Sequence, residues 1–463
     1  MGLRTYQVEI IERCRDEYRR GAKRVLLQAS TGAGKTVIAA AIVASAIAKG
    51  RRVLYVCHRQ EILAQTERKL RAEGLAPVLL TAGRREHGTL TLASAQTLAR
   101  REVPPADLVV IDEAHVHHEA SKRVIAALPA AHVLCLTATP ARTDGRPLAE
   151  LADVIVQGPP MQWLIDKGYL VPATVYAAPS PDLHDVPIRG GEYAAGPAEH
   201  AHRRLVGTIA EEWTIHCKGL RTILFASGVK HSLECGAALT AVGARAAHVD
   251  GTTPAAERGA LFAALKGGEL DVLCNVGIAI EGLDIPEIEA VYWARSTASV
   301  AVWLQGCGRG MRPSEGKKRL VVVDGGGNVY RHGLPEAVRA WTLAGKVPVP
   351  RQTLRTCAAC LAVWSEPGPC PRCGAEPGGK PRAGVQVCEV GLVEVSAAEL
   401  ERRARAGSKQ VAPRPAPAWA ARDAALWDRL ERVRQREGYA LGDGGPWTGW
   451  TAAMWRRIYA KGS

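Results

Sequence analysis

The stretch VVIDEAHVHH, residues 109–118, gathers two carboxylates and three imidazoles within seven residues. Two chemistries fit. Asp112, Glu113, His115, His117 and His118 offer the oxygen and nitrogen donors that zinc or another transition metal takes. An apolar strand can equally end in an Asp that orients Mg²⁺ and a Glu that takes a proton from water. The stretch by itself does not choose between them.

QASTGAGKT, residues 28–36, bears on that choice. It lies between the apolar run RVLLQA and a helical run, the strand–loop–helix order of a phosphate-binding loop. Ala29, Gly34, Lys35 and Thr36 match the loop's spacing, with Ala in place of the first Gly. The backbone N–H groups of Thr31, Gly32, Ala33 and Gly34 would close around phosphate oxygens, helped by the partial positive charge of the helix that follows. Lys35 would reach the β- and γ-phosphates of ATP, and the Thr36 hydroxyl would hold Mg²⁺. The bland alternative is a glycine-rich turn that happens to contain a lysine. Given the loop, Asp112 is expected at Mg²⁺ and Glu113 at the attacking water. Three histidines at these spacings do not converge on one ligand sphere unaided, so His117 and His118 are expected as exposed loop residues.

Elements must carry these groups to one place. Residues 23–140 alternate continuous Val/Leu/Ile runs (RVLLQA, RVLYVC, LVVID, HVLCLTAT) with helical stretches such as RQEILAQTERKLRAEG. Runs apolar on both faces, separated by helices, predict a parallel sheet covered on both sides. A second alternating block follows, with TILFA, ARAAHVD, LDVLCNV, AVYWA and RLVVVD. The expected organisation is an α/β domain over 1–157, a proline- and glycine-rich interdomain connection over 158–200, and a second α/β domain over 201–350. A cysteine-rich module over 351–380, a linker over 381–418 and a basic, Trp-rich helical tail over 419–463 complete it.

At 463 residues, two or three domains are expected, and 47% apolar with 23% charged residues is globular composition. The N-terminus lacks an apolar signal core, and the greasiest stretch, VIAAAIVASAIA, is too short to span a bilayer. A cytoplasmic chain without membrane segments is the expectation. Eight of the twelve cysteines are scattered singly, the pattern of reduced, buried thiols. The net charge is +14, and residues 351–463 hold 18 Lys/Arg against 11 Asp/Glu. That excess is either a solvated surface or a polyanion-binding tail.

A nucleotide loop and an acidic strand end define an NTPase but no task. LTATP (136–140), NVGIAIEGLDIP (275–286) and WLQGCGRGMRP (303–313) follow in order, the last containing Q-x-x-G-R-x-x-R with Gln305, Gly308, Arg309 and Arg312. An arginine supplied from a second domain neutralises charge on a transferring phosphate and contributes about 10³ to 10⁵ in rate. A basic surface turn would not explain the Gln and Gly at fixed offsets.

The ordered set resembles the superfamily 2 helicases of the DEAD/DEAH-box type, especially phage-type members with a DEAH box, over residues 3 to about 345. The resemblance implies two tandem RecA-like domains and ATP-driven movement on nucleic acid. It implies that Gln7 in LRTYQ reads the adenine edge, with Arg4 nearby. Residues 56–66 and 93–98 resemble the backbone-tracking motifs Ia and Ib, and 223–232 resembles motif IV. Thr137 and Thr139 would couple hydrolysis to strand movement, His115 and Gln305 would link the domains, and Gly282 and Asp284 would face the nucleotide. One departure stands out: where motif V often begins with a nucleic-acid-contacting Thr, this chain has Cys274 or Asn275.

Cys357, Cys360, Cys370 and Cys373 read C-x₂-C-x₉-C-x₂-C. Two CxxC knuckles fit a structural Zn²⁺ site with four thiolates; a redox pair would need only one. In the tail, Trp419, Trp427, Trp447, Trp450 and Trp455 stand among arginines, suited either to base stacking or to packing inward as a cap. The expected function is an ATP-dependent nucleic-acid helicase, with DNA as the favoured substrate. A duplex translocase subunit of a restriction or remodelling complex, and an ATP-switched nucleic-acid clamp, are the alternatives.

Overall fold

The computed structural model describes residues 2–57, 60–81, 83, 86–116, 118–142, 145–177, 183, 186–189, 191–202, 206–278, 285–344, 354–357 and 359–376. The chain divides into two compact units, Met1–Thr356 with Leu361–Pro367, and Cys357–Cys360 with Gly368–Ser463. The expected linker and Trp-rich tail lie outside the described residues, as do His117, Gly282 and Asp284.

The larger unit holds two sheets. The first contains β1 (Arg24–Gln28), β2 (Val53–Cys57), β3 (Val78–Leu80), β4 (Leu90–Ser94), β5 (Leu108–Ile111), β6 (His132–Thr137) and β7 (Val154–Gln157), in the order β3-β4-β2-β5-β6-β1-β7. Every pairing in it is parallel. Every residue of β2 and β5 is buried, as their unbroken apolar runs require of strands covered on both faces. Because β5, β6 and β1 are neighbours, the segments leaving their carboxyl ends lie side by side. Those segments are Asp112–His115, Thr137–Thr139 and the glycine-rich loop.

A small antiparallel hairpin, β9 (Ile188–Arg189) with β10 (Glu192–Tyr193), follows β8 (Ala173–Ala177) along the chain. The second sheet adds β11 (Thr222–Phe225), β12 (Ala246–Val249), β13 (Val272–Asn275), β14 (Ala290–Trp293), β15 (Leu320–Asp324), β16 (Arg355–Thr356) and β17 (Ala362–Trp364). Its order is β12-β13-β11-β14-β15-β8-β17-β16, parallel as far as β8 and antiparallel beyond it. Residues 158–200 are therefore more than a connection: ATVYA forms β8 and pairs with β15 over five residues. The prolines that suggested a linker flank this short strand rather than interrupt it, so no ladder N–H is lost.

After β15 the chain returns to the first sheet. The Leu148 N–H donates to the Leu343 carbonyl (2.8 Å), and Gln157 Nε2 donates to the Trp341 carbonyl (3.1 Å). Among the described residues no helix is long and apolar enough to cross a membrane.

One helix, Val300–Gly310, positions most of the second block's contribution to the site. Ser299 caps it, accepting from the Val302 N–H. Its glycines set how closely it packs. A Cβ on Gly306 would fall 2.5 Å from Trp293 Cζ2, and one on Gly310 would fall 2.5 Å from Leu320 Cδ1. Trp293 is stacked on Phe225 at 4.4 Å, and both rings are buried, so neither has room to yield. Replacing a helix-interior glycine by alanine ordinarily gains about 1 kcal/mol. Here overpacking, at about 1–3 kcal/mol, should reverse the sign. Gly306→Ala is expected to lower the denaturant midpoint, and a raised midpoint would show that the ring pair gives way.

Candidate active site

The glycine-rich loop gets its shape from two left-handed positions, Gly32 (φ 87°) and Gly34 (φ 80°). Gly34 is the N-cap of the helix Lys35–Ala48 and brings no capping side chain, so the helix's first N–H groups remain for an anion. Tyr6 and Gln7 brace the loop from the first helix. The Tyr6 hydroxyl donates to the Ala33 carbonyl at 2.9 Å, and Gln7 Nε2 points to the same oxygen at 3.4 Å. Gln7 is 4% exposed, and its Oε1 accepts the Arg4 N–H. The guanidinium of Arg4 lies 4.3 Å from the centre of the Tyr169 ring, which packs beside Tyr6 and Trp163. This aromatic cluster escaped the sequence reading. The signal was Trp163 and Tyr169 in a segment otherwise rich in turn residues.

Lys35 Nζ donates to the Ala29 carbonyl (3.3 Å) and lies 4.0 Å from Glu113 Oε1. Burial pushes the Lys35 pKa down, while Glu113 and then Asp112 oppose it; Arg312 and Arg309 push it down further. The charges of both blocks thus meet around one ammonium. Asp112 follows β5 directly, and its Oδ1 accepts the Glu113 N–H. Glu113 adopts φ 48°, a left-handed conformation costing a non-glycine residue on the order of 1 kcal/mol or more. Its Oε2 is buried, accepts no hydrogen bond from the described groups, and lies 3.5 Å from His115 Nδ1. His115 Nδ1 is hydrogen-bonded to Thr137 Oγ1 at 3.0 Å, and that oxygen also accepts the Thr139 N–H at 3.0 Å. A continuous path therefore joins the carboxylate to the segment after β6.

The histidines divide. His115 belongs to this path, but His118 is not the exposed loop residue the sequence suggested. It begins the helix His118–Ala127, is 5% exposed, and has ring nitrogens 3.4 Å from Glu119 Oε1 and 3.5 Å from Glu150 Oε2. Helical pairing with the surface around Glu150 buries a residue whose letters alone look solvated.

From the second block, Gly308 explains its place in Q-x-x-G-R-x-x-R. A Cβ there would fall 2.6 Å from Thr31 Cβ, so helix Val300–Gly310 lies directly on the glycine-rich loop. Arg312 Cγ is 3.7 Å from where a Cβ on Gly32 would sit. Gln305 is buried at 7% exposure. Asn275 is fully buried, with Nδ2 donating to the Leu224 carbonyl at 2.8 Å, so it holds β13 to β11. Of the motif-like stretches, 94–97 is a capped turn in which the Ser94 hydroxyl accepts the Thr97 N–H. In 223–232, the Ser227 and Ser232 hydroxyls bond His231 and His248.

In the smaller unit, the four sulfurs of Cys357, Cys360, Cys370 and Cys373 lie within 4.8 Å of one another. Cys357–Cys373 and Cys360–Cys370 are 3.5 and 3.7 Å apart. A tetrahedron with bonds of about 2.3 Å has edges of about 3.8 Å, whereas a disulfide is about 2.05 Å long. The donor set fits one Zn²⁺. Although burial opposes it, N–H groups of Cys360 and Ala359 stabilise the Cys357 thiolate and hold its pKa at about 7. Arg372 N–H donates to Cys370 Sγ at 3.4 Å. The seven other described cysteines are all buried.

The chain matches the family model for the type III restriction enzyme res subunit over residues 1–142, and that for the helicase conserved C-terminal domain over 208–314. It is 30% identical to a 51.5 kDa protein of a Lactococcus phage (isolate 7-9), over 68% of this chain and 68% of that one. It is 28% identical to the Saccharomyces cerevisiae protein described as "Putative ATP-dependent helicase IRC3", over 70% of this chain. It spans about half of that yeast relative, 51%. Among solved structures, an ATP-dependent type ISP restriction-modification enzyme bound to DNA shares the fold, with a TM-score of 0.55 and 17% identity over 70% of this chain and 27% of that one. Two RecA-like domains with their site residues in this order make a nucleic-acid helicase that depends on ATP. The chain belongs to the superfamily 2 helicases.

Proposed function

We propose that this chain hydrolyses ATP in the crevice between its two α/β blocks to move along DNA and unwind it. The observation that supports this is the seating of helix Val300–Gly310 on the glycine-rich loop through Gly308 and Thr31, from where Arg312 and Arg309 act electrostatically on Lys35. DNA as the substrate is supported by the restriction-enzyme family model and by the DNA-bound structural relative. The same family model favours a second reading, translocation on duplex DNA without strand separation.

In this mechanism the loop N–H groups of Thr31 to Gly34 and the Lys35 ammonium hold the triphosphate. Gln7 and Arg4 would read the adenine, and the same resemblance gives Gly282 and Asp284, which lie outside the described residues, a role at the nucleotide. Thr36 and Asp112 would hold Mg²⁺, which supplies charge neutralisation on the phosphates. Glu113 takes the proton from the attacking water with its carboxylate. Arg309 and Arg312 balance the charge on the γ-phosphate as it leaves. The path from Glu113 through His115 to Thr137 and Thr139 reports phosphate release to the first block, and Gln305 does so for the second. Asp112–His115 spell the DEAH box, which supports a place in that subgroup. The four-cysteine site holds zinc as a structural ion, and buried free thiols fit the reducing cytoplasm.

Three outcomes are expected. Glu113→Gln keeps the side-chain shape but removes the base, so ATP binding should persist while turnover falls by about 10² to 10⁴; near-normal turnover removes Glu113 from this role. Purified protein should carry one zinc, and Cys357→Ser or Cys373→Ser should lower it; elemental analysis finding none refutes the four-thiolate site. ATP turnover compared with single-stranded DNA, duplex DNA and RNA should rise most with DNA, and displacement of a labelled strand separates unwinding from translocation alone. Stimulation by RNA only would overturn the substrate.

A further inference from the structure

Arg312 is awkwardly placed for a residue that must hold a fixed position. Helix Val300–Gly310 ends at the C-cap Met311, so Arg312 lies beyond the helical hydrogen-bond ladder. Its own N–H reaches back to the Arg309 carbonyl at 3.5 Å, at the limit for such a bond. Something else must fix it. The Met311 carbonyl is held by the Val171 N–H at 2.9 Å, and the Arg312 carbonyl is held by Lys317 Nζ at 2.9 Å. The same ammonium donates to the Pro286 carbonyl, also at 2.9 Å. Pro286 closes GLDIP, the stretch expected to face the nucleotide. One cation therefore ties the ends of two functional segments together.

We propose that Lys317 is a positioning residue for ATP hydrolysis, fixing the backbone at Arg312 so that its side chain stays against the glycine-rich loop. The proposal rests on Arg312 acting at the phosphate, as argued above. Several features separate Lys317 from its neighbours. Lys318 and Arg319 are exposed, whereas Lys317 is half-buried, and its ammonium donates to two backbone carbonyls. Burial lowers its pKa to about 8, with Glu289 and Glu287 opposing and Arg312 adding to the fall. A neutral isostere of the stem would leave two carbonyls without their donor and free the turn to drift. Displacement of a reacting group by about 1 Å is enough to cost roughly a hundredfold in rate.

The test is a double-mutant cycle on the full chain, with ATP turnover and nucleotide affinity measured in parallel. Lys317→Met should lower kcat by roughly tenfold to a hundredfold, with nucleotide affinity little changed, while Lys318→Ala stays near wild type. Lys317→Arg, which restores donors, should recover part of the loss. In an Arg312→Ala background, Lys317→Met should cost little more, because its target is already gone. Losses that multiply in the double variant would make Lys317 a structural residue and overturn the proposal, whatever the melting curves show. Wild-type kcat for Lys317→Met beside an impaired Arg312→Ala would overturn it too. Normal turnover of Arg312→Ala would instead defeat the reading of Arg312 itself, and the proposal with it.

Discussion

No side chain fits between Thr31 and the backbone of Gly308. That closeness governs everything else about the site. The proposed hydrolysis draws fixed positive charge from two domains at once, and the pull of a charge on a phosphate weakens with distance and with water between them. A methyl group at Gly308 would wedge the helix away from the loop, and Arg309 and Arg312 would retreat with it. Gly306 and Gly310 let the same helix sink into its own sheet, against Trp293 and Leu320. The helix is thus pressed between two surfaces, and its position is set by contact on both sides. Its arginines inherit that precision only as far as the helix runs; past Met311 the backbone needs other anchors.

The strained backbone at Glu113 belongs to the same logic. A left-handed glutamate persists only where surrounding contacts hold it. Asp112 accepts its N–H, Lys35 faces one carboxylate oxygen and His115 lies near the other. The Thr137 hydroxyl then joins His115 to the turn after β6. A change at the carboxylate, such as losing its partner when phosphate departs, has a short polar route into the edge of the first sheet. The return of Trp341 and Leu343 to β7 and Leu148 gives the second block a backbone tie to that sheet.

Much of this was legible in the sequence because parallel sheets write themselves plainly. Strands buried on both faces must be largely apolar runs, and β2, β5, β11, β14 and β15 show it most plainly. The strands β3, β4, β7, β8, β9, β10, β16 and β17 went unread; most are short, or, like ATVYA and LTLAS, mix small and polar residues into the run. The residues of the loop and the acidic strand end were legible by spacing, since backbone geometry fixes their offsets. What spacing could not show was contact across the fold. Nothing in EGKKR distinguishes Lys317 from Lys318, and nothing in AHVHH says that His118 is buried. Asn275 stands where related chains often have a strand-contacting Thr, and only the fold shows its amide donating to the Leu224 carbonyl. Those outcomes depend on which surface each residue meets, and that is decided by elements far away in the chain.

The antiparallel pair β16 and β17 adds a constraint of another kind. β17 pairs with β8 and covers what would otherwise be the free edge of the second sheet. Composition puts the end of the motor near residue 350, just before the cysteines, yet two strands of its sheet lie beyond that point. A chain ending there would leave the outer edge of ATVYA with unpaired backbone N–H and carbonyl groups, a template for association between copies. Cys357 and Cys360 fall in sequence between β16 and β17, so the first CxxC pair interrupts the chain segment that supplies these two strands. Removing the cysteine segment by cutting before it would take with it the two short strands that seal the edge.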